Sequence, residues 1–214
     1  VTPKAAATSS STSPSQGLPK PGASWPDGYG CLIFDSVDST LSEAARQASD
    51  LVGPTWILAQ EQTAARGRRG RSWATPRGNF AATLMLRHGE EPASAALRSF
   101  VASLALRRAF VAITRDESAF ALKWPNDVLL NGGKVAGILL ESIGDHLAIG
   151  IGVNLAHAPG ADQVEANALR PVSIAGETGV MITPTAFLDV LAKEYAELEQ
   201  QFRTYGFAPI RTAW

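Results

Sequence analysis

The spacing of apolar residues along the chain predicts a series of short strands. Alternating or continuous apolar runs of five to ten residues, separated by Gly, Pro, Asn and Asp, are typical of strands. One of these runs is divided by Asn131-Gly132-Gly133, which is a hairpin signal, so it predicts two paired strands. The runs lie at residues 31–35, 55–62, 79–87, 120–124, 128–142 and 146–155.

Three other segments carry their apolar residues at helical spacing. Residues 93–113 are rich in Ala and Leu and predict one long helix. Residues 184–205 form an amphipathic helix, with Thr183 as its N-cap and Gly206 as its stop signal. A further helix is expected from Thr40, because Thr-Leu-Ser-Glu has the spacing of a capping box.

Strands outnumber helices and cluster as hairpins, so the pattern predicts an α+β fold with a mixed β-sheet and helices on one side. We expect a single domain over residues 25–206. Residues 1–24 are rich in Ser, Thr, Ala and Pro and predict a disordered N-terminal arm, which leaves no room for a folded DNA-binding module before Trp25. Residues 155–180 give no clear pattern.

Composition favours an enzyme over a nucleic-acid-binding protein. The 214 residues are 45% hydrophobic and carry a net charge of −1, without the basic excess that nucleic acid requires. One cysteine excludes an internal disulfide framework, and three scattered histidines, expected at the surface, give no ordinary zinc site. No apolar run reaches the ~18 residues of a membrane span. A cytoplasmic protein without membrane contact is expected.

The most concentrated chemistry lies at residues 65–73, where four arginines fall within nine residues. Guanidinium groups bind phosphate and carboxylate oxygens in a bidentate manner, and Gly67 and Gly70 let the backbone close over a ligand. A solvated loop or an RNA-binding stretch is the alternative. The segment lies between strands and has no aromatic platform for base stacking, which favours a nucleotide in an enzyme pocket.

Two other clusters place polar groups among apolar strands or at a helix start. Lys123, Asp127 and Lys134 are charged residues in an apolar hairpin, where a structural Lys123–Asp127 pair is the plainer interpretation. A phosphate loop is excluded, since no Ser or Thr follows Lys134. Ser39 and Thr40 lie at a helix start, where capping alone would account for Thr40, although free N–H groups there also suit a polar ligand.

Together these stretches resemble the biotin protein ligases. The matching segments are DSTLSEA, EQTAARGRRGRSW, NFAATLML, KWPNDVLLNGGKVAGILLE and IGIGVNL, in the family's order. The resemblance implies a class II synthetase-like catalytic domain, a mixed sheet backed by helices. It implies ATP-dependent joining of biotin to a lysine of a biotin carboxyl-carrier domain through biotinyl-5′-AMP, with Mg²⁺ bound mainly through ATP. The lipoate ligases share the fold but lack the arginine motif, so lipoate or octanoate transfer is the nearest alternative.

The resemblance also assigns roles to individual residues. Lys134 and Arg68 are expected to be catalytic. The biotin-side residues are expected to be Ser39, Thr40, Gln62, Arg66, Lys134, Gly137 and Gly152. The nucleotide-side residues are expected to be Arg68, Arg69, Arg71, Trp73, Asn126, Asp127 and Asn154.

The chain departs from the family pattern at two positions and at both ends. Ala65 stands where the motif begins with Gly, at a cost of roughly 1 kcal/mol if φ is positive there. Leu41 stands where Asn is common, so one polar contact is expected to be missing. We expect a monofunctional ligase that binds no DNA, with residues 207–214 starting a linker to a C-terminal β domain. A homodimer is left open.

Overall fold

The computed structural model describes residues 22, 24–70, 73, 75–160, 164–165 and 168–214, with the side chain of Arg68 excepted. The predicted N-terminal arm therefore lies almost wholly outside the described residues, as does Arg71. The strands are β1 (Gly30–Val37), β2 (Thr55–Gln62), β3 (Phe80–Arg87), β4 (Phe120–Lys123), β5 (Asp127–Leu130), β6 (Gly133–Ile143) and β7 (His146–Val153). The helices are α1 (Thr40–Gln47), α2 (Pro92–Ala96), α3 (Arg98–Thr114), α4 (Ile174–Thr178), α5 (Pro184–Tyr205) and α6 (Phe207–Ala213).

The strands form one seven-stranded mixed sheet in the order β1-β2-β3-β7-β6-β5-β4. Strands β1 and β2 pair in parallel, and the other neighbours are antiparallel. The predicted hairpin between β5 and β6 is confirmed. Its turn places Asn131 at φ 49° and Gly132 at φ 76°, the left-handed conformation that Asn-Gly tolerates best.

One face of the sheet carries the main hydrophobic core beneath α3, α5 and α6. Trp56 of β2 and Phe80 of β3 are fully buried there, and their rings contact Tyr195 and Phe187 of α5 edge to face. As predicted, α5 begins after the N-cap Thr183, whose side chain accepts a bond from the Ala186 amide. The amphipathic pattern of residues 184–205 is therefore satisfied by this core.

The expectation that all helices lie on one side of the sheet is wrong. Helix α1 lies on the opposite face, where Leu41 and Ala44 pack against Ile57 of β2, Met85 of β3 and Ala148 of β7. It covers only part of that face, because an eight-residue helix is about 12 Å long. The rest of the face, towards β6 and β5, is left for the cavity described below.

The single helix predicted over residues 93–113 is divided into α2 and α3 at Leu97. There the Leu97 amide bonds the carbonyl of Ser94, three residues back, which tightens the turn. The next residue, Arg98, turns inward and is 2% exposed. Its guanidinium bonds Glu90 and Glu199, so a buried ion-pair network joins α3 to α5 at the point where the helix is broken.

Residues 207–213 continue as α6 directly after Gly206, whose φ of 72° ends α5 as predicted. Ile210 of α6 is fully buried, and Phe207 and Trp214 both contact the ring of Phe100 in α3. Packing of this kind stabilises a helix too short to persist alone in water. The assignment of residues 207–214 to a linker stays a prediction.

Candidate active site

A cavity of about 910 Å³ opens on the α1 face of the sheet. Its wall is formed by the start of α1, the end of β2, the 65–73 segment, the β4–β5 turn, β6 and β7. Each predicted site residue with a described side chain, together with both predicted glycines, lies on that wall: Ser39, Thr40, Gln62, Arg66, Arg69, Trp73, Asn126, Asp127, Lys134, Gly137, Gly152 and Asn154. The side chain of Arg68 and all of Arg71 lie outside the described part of the chain.

One end of the cavity is neutral and rich in hydrogen-bonding groups. The Thr40 amide donates to Oε1 of Gln62 at 2.8 Å, and the Thr40 hydroxyl donates to the same oxygen at 3.1 Å. Ser39 and Thr40 are each nearly buried, at 3% and 4% exposure, and both face the cavity. This end suits an uncharged ligand group with donors and acceptors.

The predicted capping box does not form. Ser39, not Thr40, is the N-cap of α1, and its side chain makes no cap bond. The Thr40 amide is taken by Gln62, twenty-two residues away, while the carboxylate of Glu43 is bound by Arg46 and Gln47. Thr40 therefore forms part of the cavity wall and does not cap the helix.

Asp38 anchors the backbone just before α1. Its Oδ1 accepts the Ser39 amide at 2.7 Å. Hydrogen bonds from Arg46 hold the pKa of the Asp38 carboxyl below its usual range. Ionised at neutral pH, this carboxylate fixes the backbone that presents Ser39 and Thr40.

Two threonines that the sequence analysis missed lie behind the wall of the neutral end and bond the residues that line it. Thr83 of β3 donates its hydroxyl proton to Oγ1 of Thr40 at 2.9 Å, and Nε2 of Gln62 donates to Oγ1 of Thr75 at 3.0 Å. A signal was present, because Thr83 is a hydroxyl-bearing residue in the otherwise apolar run Phe80–Leu86.

The other end of the cavity is cationic. Nζ of Lys134 lies 2.7 Å from Oδ1 of Asp127 and 5.5 Å from the ring centre of Trp73. Lys123 is the cross-strand neighbour of Asp127, but Asp127 pairs with Lys134, so the plainer Lys123–Asp127 interpretation is wrong. The Lys134 backbone is fixed by bonds to Arg170 and Val172.

Trp73 covers the two glycines predicted on the biotin side. Gly137 and Gly152 are direct cross-strand partners in β6 and β7. A Cβ added at Gly152 would overlap the indole of Trp73, and one at Gly137 would lie 3.4 Å from it. The close approach that these glycines permit is therefore made by Trp73, which was expected on the nucleotide side.

The described part of the arginine segment lies along the cavity wall. Arg66 forms a two-pronged ion pair with Glu141 of β6, at 2.9–3.3 Å, and donates to Ser42 of α1 at 3.3 Å. The Trp73 amide bonds the Ala65 carbonyl at 3.1 Å and draws the two ends of the segment together. Glu141, which the sequence analysis did not single out, is absent from the cavity wall but holds Arg66, which lines it.

The two departures from the family pattern are accommodated. Positive φ occurs at Arg69 and Gly70, whereas Ala65 has an ordinary φ, so the expected strain is absent. The Leu41 side chain packs over Gly150 of β7, where a Cβ would meet it at 2.9 Å. Leu41 thus places an apolar surface where a polar contact was expected.

The two asparagines assigned to the nucleotide side hold the wall together. Nδ2 of Asn126 donates to the Ile138 carbonyl at 2.8 Å, and Nδ2 of Asn154 donates to the Val172 carbonyl at 3.0 Å. Both residues also line the cavity. Their expected contact with a nucleotide stays a prediction beside this structural role.

The histidines contribute nothing to the cavity wall. His146 is buried, against the expectation of a surface position, and its Nδ1 lies 2.9 Å from Asp145. Within the described residues, no three His, Cys, Asp or Glu side chains are grouped closely enough to enclose a metal ion. Mg²⁺ prefers phosphate and water oxygens with one or two carboxylates, so Asp127 is the protein ligand that such an ion would meet beside Lys134.

The sequence and the fold match a known family. The model of the biotin/lipoate A/B protein ligase family matches residues 29–154, more than half of the chain. The chain belongs to this family. It is 56% identical over 182 residues to a biotin–[acetyl-CoA-carboxylase] ligase of Paracoccus denitrificans, covering 83% of this chain and 76% of that protein.

Solved structures of the family have the same fold. Biotin protein ligase of Aquifex aeolicus in complex with biotin and ATP is 27% identical, with a TM-score of 0.76 over 86% of this chain and 75% of that one. The Leishmania major enzyme in complex with biotinyl-5-AMP is 28% identical, with a TM-score of 0.70 over 88% of this chain and 81% of that one. The predicted α+β fold, a mixed sheet backed by helices, is confirmed.

Proposed function

We propose that this chain is an ATP-dependent biotin ligase that joins biotin to a lysine of a carboxyl-carrier protein through biotinyl-5′-AMP. The observation that carries the proposal is a cavity with a neutral hydrogen-bonding end at Thr40 and Gln62 and a fixed ammonium group, that of Lys134, at the other end. Arg66 adds a second positive charge to the wall, where it bonds Glu141 and Ser42 of α1. Biotin has the matching polarity, with a neutral ureido ring at one end and a carboxylate at the other.

In the first half-reaction, a biotin carboxylate oxygen forms a bond to the α-phosphorus of ATP and pyrophosphate leaves. Both reactants are anions, so fixed positive charge must offset their repulsion. Lys134 would stabilise charge between the carboxylate and the α-phosphate, and Arg66 would contact biotin, as the family resemblance implies. In the second half-reaction, the acceptor lysine amine attacks the acyl carbon, loses a proton, and AMP leaves.

The nucleotide would occupy the cationic end. The cavity wall includes the predicted nucleotide-side residues Arg69, Trp73, Asn126, Asp127 and Asn154. Arg68 and Arg71 belong to the same arginine segment as Arg69. Mg²⁺ would be held chiefly by the ATP phosphates and water, with Asp127 as its protein ligand, and would neutralise phosphate charge when bound. The arginine segment would shield the mixed anhydride from water.

The proposed partner is the carrier domain of a biotin-dependent carboxylase, which the name of the Paracoccus relative supports. We expect that the chain binds no DNA and is cytoplasmic, and both stay predictions. A homodimer stays an open alternative. Among the described helices, none has the length and apolar character needed to cross a membrane.

The proposal is tested by incubating the chain with biotin, Mg·ATP and a purified carrier domain, and following the carrier's mass. We expect one biotin on the target lysine, and none without ATP or with a carrier whose lysine is replaced by arginine. Parallel reactions with lipoate and octanoate test the acyl-transfer alternative, and a labelled RNA tests nucleic-acid binding. Equal transfer of lipoate, or RNA binding without biotin transfer, would overturn the proposal.

A further inference from the structure

The hydrogen bonds at the neutral end of the cavity have only one consistent direction. A backbone N–H can only donate, so the Thr40 amide fixes the oxygen of the Gln62 side chain towards itself, at 2.8 Å. The Thr40 hydroxyl lies 3.1 Å from the same oxygen and must donate its single proton to it. Thr83, whose hydroxyl lies 2.9 Å from that of Thr40, is then the donor of the next bond.

This direction decides what the cavity offers a ligand. The Thr40 oxygen, having given its proton to Gln62, can only accept from a ligand. The Gln62 nitrogen uses one proton on Thr75 at 3.0 Å, which leaves one N–H to donate. The Ser39 hydroxyl, which bonds no other group in the described part of the chain, is a further donor. A matching ligand group therefore carries both an N–H and a C=O.

Thr83 is the far end of this arrangement and does not line the cavity. It is fully buried, among the apolar side chains Ile57, Met85 and Ala148 that pack beneath α1. A hydroxyl in such surroundings is costly unless it is hydrogen-bonded, and its partner here is Thr40. Because the Thr83 hydroxyl occupies one lone pair of Thr40, the Thr40 hydroxyl cannot turn towards it.

We infer that Thr83 is a positioning residue for substrate choice, which holds Thr40 as an acceptor and thereby selects a cyclic urea. The inference rests on the proposed function. A dithiolane ring or an alkyl chain has no N–H for Thr40 and no C=O for Ser39 and Gln62. Such a ligand leaves buried polar groups unpaired, and sites of this kind discriminate strongly against it.

The experiment compares Thr83→Val with the unmodified chain in biotin-dependent exchange between ATP and pyrophosphate. Valine keeps the shape and removes the hydroxyl. We expect KM for biotin to rise about tenfold, the size of one hydrogen bond, with kcat within twofold, because the reacting carboxylate is bound at the other end of the cavity. Thr83→Ser keeps the hydroxyl and should restore KM. Thr55→Val is the matched control, a buried threonine of β2 that bonds Gly53 and lies off the cavity.

A purely structural role for Thr83 would lower kcat and raise KM together, or move KM equally in Thr83→Val and Thr55→Val, and either result overturns the inference. Should Thr83→Val fail to fold, binding of the two mono-N-methylated biotins to the unmodified chain decides the matter. One isomer must lose most of its affinity, since its methyl group meets Thr40. Equal binding of both isomers and biotin would overturn the inference. A chain that binds no biotin at all would overturn the proposed function and this inference with it.

Discussion

The ammonium nitrogen of Lys134 lies 2.7 Å from a carboxylate oxygen of Asp127, on the face of the sheet that carries the cavity. The two residues belong to adjacent strands, and a β-bulge after Val128 shifts their register so that they meet. An ammonium held in this way is fixed in position before an anion arrives. Preorganised charge of this kind stabilises a transition state without reorganising during the reaction.

Lys134→Ala is expected to lower biotin-dependent ATP–pyrophosphate exchange by a factor of roughly 10²–10³, the usual cost of losing one preorganised electrostatic contact. The thermal unfolding midpoint should stay within a few degrees, because Lys134 is partly exposed. Lys193→Ala, an exposed lysine of α5 away from the cavity, is the matched control and should exchange normally. Near-normal exchange by Lys134→Ala would refute its role.

Glu141→Gln tests whether the carboxylate that holds Arg66 competes with an anionic ligand. Glutamine can still accept a bond from the guanidinium but carries no charge. We expect KM for biotin to fall about two- to fivefold at low salt, and the gain to shrink as salt is added, since the pair is partly exposed. Glu197→Gln, at an exposed position of α5 away from the cavity, is the matched control and should leave KM for biotin unchanged. A higher KM would mean that Glu141 chiefly positions Arg66.

Local signals in the sequence predicted most elements because those elements depend on near neighbours. The bounds of β2 follow from its apolar run between turns, and α5 follows from Thr183 and Gly206 at its ends. The face on which α1 packs does not follow from its own pattern. An amphipathic helix shows that one side is buried, but Ile57 and Met85, which bury it, are assigned to that side only once the sheet is formed.

The sequence predicted which residues form the site, but it did not predict which of them contact each other. Asp127 has Lys123 and Lys134 within seven residues, and the bulge after Val128 decides between them. Thr40 has a capping partner at the right spacing, yet Gln62 takes its amide across the fold. Both choices depend on tertiary geometry that short-range spacing does not contain.

Alkaline stability is expected to depend on Tyr29. Burial, with the negative charge of Glu199 adding, raises the pKa of Tyr29 to about 12. In the unfolded chain tyrosine ionises near pH 10, so between these values the unfolded state releases a proton that the folded state keeps. Tyr29 therefore contributes stability that is fully present below pH 10 and is lost as the pH rises towards 12. Tyr29→Phe should make the fall in the free energy of unfolding over this range shallower.

Tyr205→Phe is the control for that measurement, because Tyr205 is 72% exposed at the end of α5. Urea unfolding of each variant at several pH values from 8 to 11.5 gives the slopes. A Tyr29→Phe slope as steep as that of Tyr205→Phe would contradict the assignment. The pKa of Cys31 is also raised to about 12, chiefly by burial, so some alkaline loss will remain in both variants.

Trp214 is expected to stabilise the fold without affecting the active site. Its Nε1 donates to the Ser103 hydroxyl at 2.8 Å, and its ring centre lies 5.3 Å from that of Phe100. Trp214→Ala should lower the free energy of unfolding by about 2–3 kcal/mol, below the range for a fully buried aromatic because Trp214 is only partly buried. Trp214→Phe keeps a ring on Phe100 and loses the hydrogen bond, for a cost of about 1 kcal/mol.

The same two variants should have the KM for biotin of the unmodified chain, within twofold. Helix α6 packs on α3, and the sheet separates both helices from the cavity wall formed by α1, β6 and β7. Denaturant unfolding gives the stability, and ATP–pyrophosphate exchange well below the unfolding temperature gives KM. A raised KM in Trp214→Ala, with Trp214→Phe unchanged, would show that packing on the α3 face of the sheet affects the cavity, and would contradict the separation of the two faces.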